Sequence, residues 1–447
     1  MLDQPTFLPP TRIGPITRLK WRLFRLLEKL SSGSGGTVQG MPSGAVRDAL
    51  WIFVSTIGEL NAIGPFLKQL SAEHSDLKLV LISDRSIYRA SYLAQYPHAE
   101  VVEIGADNIA AFALGRVRPP RLFVIAEIPC LPSDAPCRLP FGYILAAKRA
   151  GAIVALVNGW LYHYVPACRM DSIERTLLGR DSLRLIDVLC VQNEEVAQAL
   201  ISIGADAARV HITGNIKFDA MDTTPRPLAQ TRSPQLLASL AQGTRPVIVA
   251  GCVTDDEERD LVLDAFDILK KNHSSALLVL APRHPENDEV MKKLIAAVSS
   301  RHAHWCLHSS DGDVPLPNTN AVLILDTMGE LRDFYAVANV AHVGRDHNLL
   351  EPLAYGKPVT ARPNWNTTFP SFPVLSLLQR HSVLPTTASP TELSNIWSSL
   401  LSSSTNVKEL SRIAQAIETE SGAGIRCLNA IKQNASSMSF NTQRDTA

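Results

Sequence analysis

The chain has no excess of charge of either sign, few cysteines and no long apolar run. Its 447 residues include 43 basic and 43 acidic side chains. This balance argues against a nucleic-acid-binding protein, which usually has a basic excess or a clustered basic face. The seven cysteines lack the short paired spacings of a zinc site, so we expect reduced thiols. No stretch reaches about 18 consecutive apolar residues, and no secretory signal is recognisable at the start, so a membrane span is not predicted.

Residues 1–45 differ in composition from the rest of the chain. Residues 17–30 (TRLKWRLFRLLEKL) set five basic side chains against a single acidic one, Glu28. As a helix, this segment is typical of one that lies in the interface of an anionic membrane. The alternative is an amphipathic helix packed on its own domain. A Gly- and Ser-rich linker, residues 31–44, is expected next. The basic residues are Arg18, Lys20, Arg22, Arg25 and Lys29, and the apolar side consists of Trp21, Leu23, Phe24, Leu26, Leu27 and Leu30.

Apolar, strand-like runs then alternate with helical segments in two successive blocks. This alternation predicts an α/β protein with two Rossmann-like domains, each with a mostly parallel sheet, facing an interdomain cleft. Residues 222–245, with three prolines among polar residues, mark the boundary. We expect domains at 46–222 and 246–433, with the last helices able to return to the first domain, and a disordered tail at 434–447. Strands are predicted at 49–55, 77–82, 101–104, 122–126, 153–157, 185–191 and 210–212, then at 247–250, 276–280, 305–308, 321–325, 340–343 and 358–360.

Two carboxylates follow strands of the first block. Glu59 comes after the first predicted strand, in the sequence STIGEL, and Glu127 follows the fourth. Ligands of open parallel sheets bind outside the carboxyl ends of the strands. Glu59 could therefore act as a general base toward an acceptor hydroxyl. The alternative for Glu59 is a first-turn glutamate favoured by the helix dipole, and Glu127 could be an ordinary loop residue.

The second block carries cationic and glycine-containing loops at its strand ends. Arg283 and His284 directly follow an apolar strand, and an arginine fork suits phosphate or carboxylate. Thr327 and Glu330 have capping-box spacing, which predicts a helix start whose N–H groups favour an anion. Glu351 lies in the first turn of a later helix, where it could bind ribose hydroxyls or simply satisfy the dipole. No Asp-x-Asp pair accompanies these loops, so no metal requirement is inferred.

Taken in order, these segments resemble the bacterial Kdo (3-deoxy-D-manno-octulosonic acid) transferases. The resemblance covers residues 49–385, and its last four motifs together are specific. The matching residues are Gly58-Glu59, Glu127, Val157-Asn158, Gly214-Asn215-Ile216-Lys217-Phe218-Asp219, Pro282 to Glu286, Asp326 to Leu331, and His347-Asn348 with Glu351-Pro352.

The resemblance implies a GT-B glycosyltransferase that transfers Kdo from CMP-Kdo to a lipid A precursor, with inversion, in lipopolysaccharide biosynthesis. It implies no cofactor besides the donor substrate, a lipid-linked acceptor, and a peripheral location at the cytoplasmic face of the inner membrane. It assigns the general base to Glu59 and the acceptor side to Glu127 and Asn158. Its candidates for donor binding are Lys217, Arg283, His284, Met328, Gly329, Glu330, Arg345, Asn348 and Glu351.

The chain departs from the family pattern on both sides of the expected reaction. Residues 158–162 (NGWLY) stand where the family has Asn-Ala-Arg-Leu-Ser, and residues 251–254 (GCVT) stand where it has Gly-Ser-Thr-His. Glu127 is followed by Ile128 without the family's tryptophan, and the glycine-rich loop before His347 is altered. Arg345 could compensate through a side-chain contact. These departures keep two alternatives open: a GT-B transferase with a different donor or acceptor, and a catalytically degenerate nucleotide-binding paralogue. A sugar-nucleotide epimerase on the same fold explains the motif order less well.

Overall fold

A computed structural model describes residues 12–31, 39–44, 48–104, 109–128, 139–163, 168–317, 319, 321–369 and 371–442. The chain divides into two compact units, residues 1–220 with 420–447, and residues 221–419. The second unit thus begins before the expected residue 246 and ends before 433, because the last helix belongs to the first unit. Half of the predicted linker at 31–44, residues 32–38, lies outside the described residues.

The first unit is built on a seven-stranded parallel sheet in the order β3-β2-β1-β4-β5-β6-β7. Of its two central strands, the first along the chain is apolar and buried throughout, and the other is buried except at Arg121, as expected for a sheet covered on both faces. The strands are β1 (Ala49–Phe53), β2 (Lys78–Ser83), β3 (Glu100–Glu103), β4 (Pro120–Ala126), β5 (Ile153–Gly159), β6 (Val188–Val191) and β7 (Val210–Ile212). The helices are α1 (Pro15–Ser31), α2 (Ile57–Ala62), α3 (Gly64–Glu73), α4 (Arg89–Gln95), α5 (Ile109–Val117), α6 (Phe141–Arg149), α7 (Arg169–Leu185) and α8 (Glu194–Ile203).

The second unit repeats this plan with a six-stranded parallel sheet in the order β10-β11-β9-β8-β12-β13. Its strands are β8 (Val247–Val253), β9 (Leu277–Pro282), β10 (Trp305–Leu307), β11 (Val322–Ile324), β12 (Val340–Val343) and β13 (Val359–Ala361). Its helices are α9 (Pro234–Gln242), α10 (Asp256–Lys270), α11 (Asp288–Arg301), α12 (His308–Asp311), α13 (Leu331–Val337), α14 (Leu350–Ala354), α15 (Phe372–Arg380), α16 (Pro390–Leu400) and α17 (Ser403–Glu420).

All the predicted strands are present, and the predicted α/β class with two parallel sheets is confirmed. The largest strand-boundary errors are of three residues: the strand predicted at 185–191 begins only at Val188, after α7, and the one predicted at 247–250 continues to Val253. Helix α18 (Ala423–Thr442) follows a positive-φ glycine, Gly422, and packs on the first unit. It overlaps the tail predicted to be disordered at 434–447, of which residues 443–447 lie outside the described residues.

Helix α1 uses its two faces differently. Trp21 and Phe24 are buried, and the Trp21 ring lies 5.7 Å from that of Phe141. The Lys20 ammonium forms an ion pair of 2.7 Å with Asp181 of α7. The opposite face exposes an apolar stripe of five residues spaced three and four apart: Ile16, Leu19, Leu23, Leu26 and Leu30. The expectation that Trp21 and Phe24 belong to a lipid-facing side is therefore wrong, because both rings complete the domain core.

Among the residues that the structure describes, no helix is long and apolar enough to cross a membrane.

Candidate functional site

The first unit has its topological switch point at β1, since β2 and β3 lie on one side of this strand and β4 lies on the other. The loops after β1 and β4 leave the sheet in opposite directions, which opens a crevice at their carboxyl ends. Glu59 follows β1 and Glu127 follows β4. The topology thus brings the two predicted carboxylates of the first unit to the same edge of the sheet.

Glu59 lies in the first turn of α2 and is buried. Thr56 is the N-cap of α2, and its hydroxyl accepts a hydrogen bond from the Glu59 N–H. The Ser55 N–H donates to Glu59 Oε2 at 2.6 Å. The residue is 9% exposed, and burial, followed by repulsion from Glu127, raises its pKa to about 8. A glutamate placed only to satisfy a helix dipole would be stabilised in its charged form, so the raised pKa favours an acid–base role.

Glu127 is almost fully buried and makes several polar contacts. Its Oε1 accepts from Asn158 Nδ2 at 2.8 Å and lies 3.4 Å from Lys217 Nζ, and its Oε2 accepts from the Tyr162 hydroxyl. Glu127 and Asn158 both adopt positive φ, 61° and 56°, a conformation that is costly outside glycine. These contacts hold the Glu127 side chain in place, whereas the side chain of an ordinary loop residue would be solvated.

The segment Gly214 to Asp219 connects this network to the end of the chain. Asn158 Oδ1 accepts from the Ile216 N–H at 2.9 Å, which fixes the turn that carries Lys217. Asp219 accepts from the Gly422 and Gly424 N–H groups at 2.5 and 2.6 Å, and so binds the start of α18. Lys217, predicted to bind the donor, therefore lies in the first unit beside Glu127.

The second unit has its switch point between β8 and β12. The two segments that depart from the family pattern, 251–254 and 343–348, lie at the ends of these two strands. They approach so closely that a Cβ added to Gly344 would lie 1.8 Å from the Cys252 carbonyl oxygen, so only glycine fits there. Cys252 itself has a φ of 57°.

Glu258, which the sequence pattern did not single out, joins these two loops. It is fully buried, and its Oε2 accepts from the Thr254 N–H at 3.0 Å while its Oε1 accepts from the Arg345 N–H at 3.1 Å. Burial alone would raise its pKa, but His342, 3.6 Å away, and the two backbone N–H groups outweigh burial and lower it. The spacing of Asp255 and Glu258, equal to that of Thr56 and Glu59, was the available signal.

A cationic group lies at the ends of β9 and β12. Arg283 follows β9, and within the described parts of the chain its guanidinium forms no ion pair. His284 is exposed and lies 2.9 Å from Glu286. His347 is half-buried, and burial together with the positive charge of Arg283 lowers its pKa to about 4. Arg283 and His347 are thus neighbours.

The start of α13 differs from the prediction for residues 328–330. The helix begins at Leu331 with Glu330 as its N-cap, and the Thr327 hydroxyl donates to the Glu330 side chain. The capping-box prediction is therefore wrong. Glu330 also accepts from Ser233 at 3.0 Å, and hydrogen bonds of this kind outweigh burial and lower its pKa. Met328 is exposed and Gly329 has a φ of 85° with open space around its Cα.

Arg345, Asn348 and Glu351 line the loop after β12 and the start of α14. The Arg345 guanidinium lies 3.3 Å from Asp255 Oδ2, so its charge is partly committed. Asn348 Nδ2 donates to Glu351 Oε1 at 3.2 Å. Burial raises the pKa of Glu351, and this hydrogen bond partly opposes the rise. Across the described ranges, no group of three or more His, Cys, Asp or Glu side chains is arranged to hold a metal ion.

Comparison with known proteins gives consistent relatives. The family model for 3-deoxy-D-manno-octulosonic-acid transferase (kdotransferase) matches residues 25–220. The transferase of that name from Chlamydia trachomatis is 26% identical over 325 residues, 70% of each chain. The one from Haemophilus influenzae is 29% identical over 255 residues, 55% of this chain and 57% of that one. The one from Aquifex aeolicus is 26% identical over 329 residues, 71% of this chain and 76% of that one.

Solved structures agree on the fold. A UDP-GlcNAc 2-epimerase from Neisseria meningitidis superposes with a TM-score of 0.60 at 14% identity, over 87% of this chain and all of that one. A glycosyltransferase from Rickettsia africae gives 0.55 at 12% identity, over 88% of this chain and 99% of that one. Likeness at this identity establishes the fold and leaves the reaction open. The sequence relatives support a divergent member of the Kdo transferase family, and the solved structures show the two-unit α/β fold of the GT-B glycosyltransferases.

Proposed function

We propose that the chain transfers Kdo from CMP-Kdo to a hydroxyl of a lipid A precursor, with inversion and with Glu59 as general base. The observation that carries the proposal is the state of Glu59. It is a buried carboxylate at the switch point of the family-matched unit, with a pKa raised to about 8 by burial and by Glu127. A base poised near the working pH has both enough ionised form and enough proton affinity.

In the proposed step, the ionised Glu59 accepts the proton of the acceptor hydroxyl as its oxygen attacks the anomeric carbon of Kdo. The new bond forms between that oxygen and the anomeric carbon, and the bond from the anomeric carbon to the phosphate oxygen breaks. CMP departs with the bonding electrons, and Glu59 keeps the proton until it is released to solvent. The proposal includes no cofactor and no metal, with CMP-Kdo as the donor substrate.

On the donor side, the guanidinium of Arg283 would meet the negative charge of the departing phosphate. His284, Asn348 and Glu351 would bind the remaining donor groups, with Glu351 accepting from ribose hydroxyls. Arg345 would contribute less through its side chain, because Asp255 already pairs with it. Glu330 and Lys217 would act indirectly: Glu330 orders the Met328-Gly329 turn, and Lys217 supports Glu127.

A second candidate is a GT-B transferase with a different activated sugar. The observation that favours it is the meeting of the two altered loops, 251–254 and 343–348, at the switch point of the second unit. Both loops follow strands whose ends bind ligands in this fold. Altered residues on both sides of one crevice would change which donor binds more readily than they would change the type of reaction.

Transfer assays with radiolabelled CMP-Kdo and a purified lipid A precursor test the proposal, and we expect radiolabelled lipid product. If no product forms but CMP still binds by calorimetry, the Kdo assignment is wrong and the second candidate takes its place. If neither product nor CMP binding is measured, the donor assignment itself fails.

Replacement of Arg283 by alanine is expected to weaken CMP binding by about 10- to 100-fold, because charge-assisted hydrogen bonds to phosphate contribute about 1.5–3 kcal/mol. Isothermal titration calorimetry measures this. Arg301→Ala is the matched control, since this arginine of the same unit is already paired with Asp264 at 2.8 Å. Equal CMP affinity in Arg283→Ala and Arg301→Ala would remove Arg283 from the donor site.

A lipid acceptor would be reached at a membrane surface, and we propose that α1 binds the cytoplasmic face of the inner membrane. The apolar stripe Ile16, Leu19, Leu23, Leu26 and Leu30 is exposed, with Leu19 at 67% and Leu30 at 77%. Arg18, Arg22 and Lys29 are also exposed on this helix, while Glu28, its single acidic residue, is paired with Arg25. An apolar stripe flanked by cations matches an interface of anionic lipid.

The double substitution Leu19→Gln, Leu23→Gln is expected to lower binding to vesicles of mixed zwitterionic and anionic lipid by about tenfold or more, because each leucine loses its transfer into the interface. Vesicle co-sedimentation measures the loss, and high salt should weaken wild-type binding as well. Ile87→Gln with Ile212→Gln is the matched control, since both side chains are exposed elsewhere in the same unit. Unchanged binding in the leucine variant would show that the stripe does not insert.

A further inference from the structure

Tyr162 occupies a position where the chain departs from its family, yet its hydroxyl is bound within the site. It lies in the loop after β5, is buried, and donates a hydrogen bond to Glu127 Oε2. Asn158 and Lys217 occupy the other oxygen of the same carboxylate, at 2.8 and 3.4 Å. Both oxygens of Glu127 are therefore engaged by this chain's own donors, and the tyrosine holds one of them.

The backbone reinforces this arrangement. Glu127 receives the Trp160 N–H on its carbonyl at 3.0 Å, and its own N–H donates to the Val157 carbonyl at 2.9 Å. The carboxylate is thus fixed by its main chain on one side and by Tyr162, Asn158 and Lys217 on the other. Hydrogen bonds to a carboxylate are short and directional, so these donors restrain the position of the Glu127 side chain.

We propose that Tyr162 is a positioning residue that fixes the Glu127 carboxylate near Glu59. This inference rests on the proposed role of Glu59 as general base. Glu127 repels the ionised form of Glu59 and so strengthens the hold of Glu59 on the proton that it takes from the acceptor. In this role Tyr162 acts through Glu127.

The proton affinity of Glu59 can be measured without substrate, by ¹³C NMR of protein labelled at glutamate carboxyl carbons. The Glu59 signal is assigned by its loss in Glu59→Gln. In the wild type we expect a titration midpoint near pH 8. In Glu127→Gln the midpoint should fall by about one pH unit, because the like charge is gone. In Tyr162→Phe the midpoint should fall by less, because the Glu127 carboxylate that has lost this donor is no longer held in a fixed position near Glu59.

Tyr96→Phe, a half-buried tyrosine of the same unit, is the control and should titrate like the wild type. A Tyr162→Phe midpoint equal to that of the wild type overturns the role of Tyr162. If Tyr162→Phe does not fold, an unmoved midpoint in Glu127→Gln overturns the proposal on its own. Because these measurements use the resting protein, they stand even if Kdo transfer is not detected. If transfer is detected, kcat in Tyr162→Phe should fall with the KM for donor unchanged.

Discussion

Glu59→Gln is expected to lower the transfer rate by about 10³-fold while CMP affinity stays unchanged. General-base catalysis contributes about 10²- to 10⁴-fold, and the amide can still accept the Ser55 N–H but cannot take up a proton. In the wild type, kcat/KM should rise with pH and level off above pH 8, where Glu59 is ionised. The residual activity of the glutamine variant should lack this rise.

Glu195→Gln is the control for the alternative that Glu59 only satisfies a helix dipole. Glu195 is an exposed glutamate in the first turn of α8, in the same unit. Its substitution should leave the rate unchanged. A Glu59→Gln enzyme that keeps more than a tenth of the wild-type rate would contradict the general-base role.

Glu59→Gln should also stabilise the protein at high pH. The folded pKa of Glu59, about 8, lies above the ordinary glutamate value of 4.5. The folded state therefore holds the Glu59 proton more tightly than the unfolded state. The contribution of Glu59 to the free energy of unfolding is highest below pH 4.5 and falls as pH rises toward 8. Glutamine removes this fall. The free energy of unfolding should rise by about 2–4 kcal/mol at pH 9 and by much less at pH 5. Urea unfolding at the two pH values measures the difference, and equal gains at both would mean that the carboxyl group is not perturbed.

The sequence was sufficient to place the strands and the loops at their ends. Parallel strands buried on both faces read as continuous apolar runs, so Glu59, Glu127 and Arg283 could be assigned to strand ends. Contacts across the sheet were not predictable in the same way. Tyr162 and Glu127 are 35 positions apart, and no local pattern relates them. Lys217 was grouped with the donor residues on the family resemblance, whereas the structure places it beside Glu127.

Amphipathic segments showed a second limit. The composition of α1 indicated one apolar side, but the periodicity does not say which arc packs on the domain. The structure buries Trp21 and Phe24 and exposes the leucines. Similarly, the spacing of Thr327 and Glu330 predicted a capping box, whereas Glu330 is itself the N-cap and its carboxylate contacts Ser233 and His308, which are distant in sequence. Neither set of long-range contacts could be predicted from a local pattern.

Glu258→Ala is expected to reduce the free energy of unfolding by about 3–5 kcal/mol at pH 7, the usual cost of removing one member of a buried charged network. The substitution leaves the Thr254 and Arg345 N–H groups and His342 without their carboxylate. Glu257→Ala is the matched control. The Glu257 carboxylate, next to Glu258 in sequence, is exposed and pairs with Arg362, and an ion pair at the surface usually contributes about 0–1 kcal/mol to stability. Similar losses in the two variants would show that Glu258 does not organise the loops.

Glu258 and Glu59 occupy the same local frame, and their substitutions should act in opposite directions. Each is the third residue of the helix that follows the first strand of its sheet. In both, the glutamate N–H donates to the side chain of the N-cap residue, and the glutamate carboxylate accepts from the backbone N–H four residues earlier. Burial, followed by repulsion from Glu127, raises the pKa of Glu59. At Glu258, His342 and the two backbone N–H groups outweigh burial and lower the pKa. Because its folded pKa is depressed, the stability from Glu258 is present above the unfolded value of 4.5 and is lost as pH falls through the folded pKa. Glu258→Gln should therefore destabilise more at pH 7 than at pH 4, while Glu59→Gln stabilises most at pH 9. The same local arrangement thus connects two loops through Glu258 in the second unit and holds the proposed base, Glu59, in the first. The difference depends on the charged groups near each glutamate.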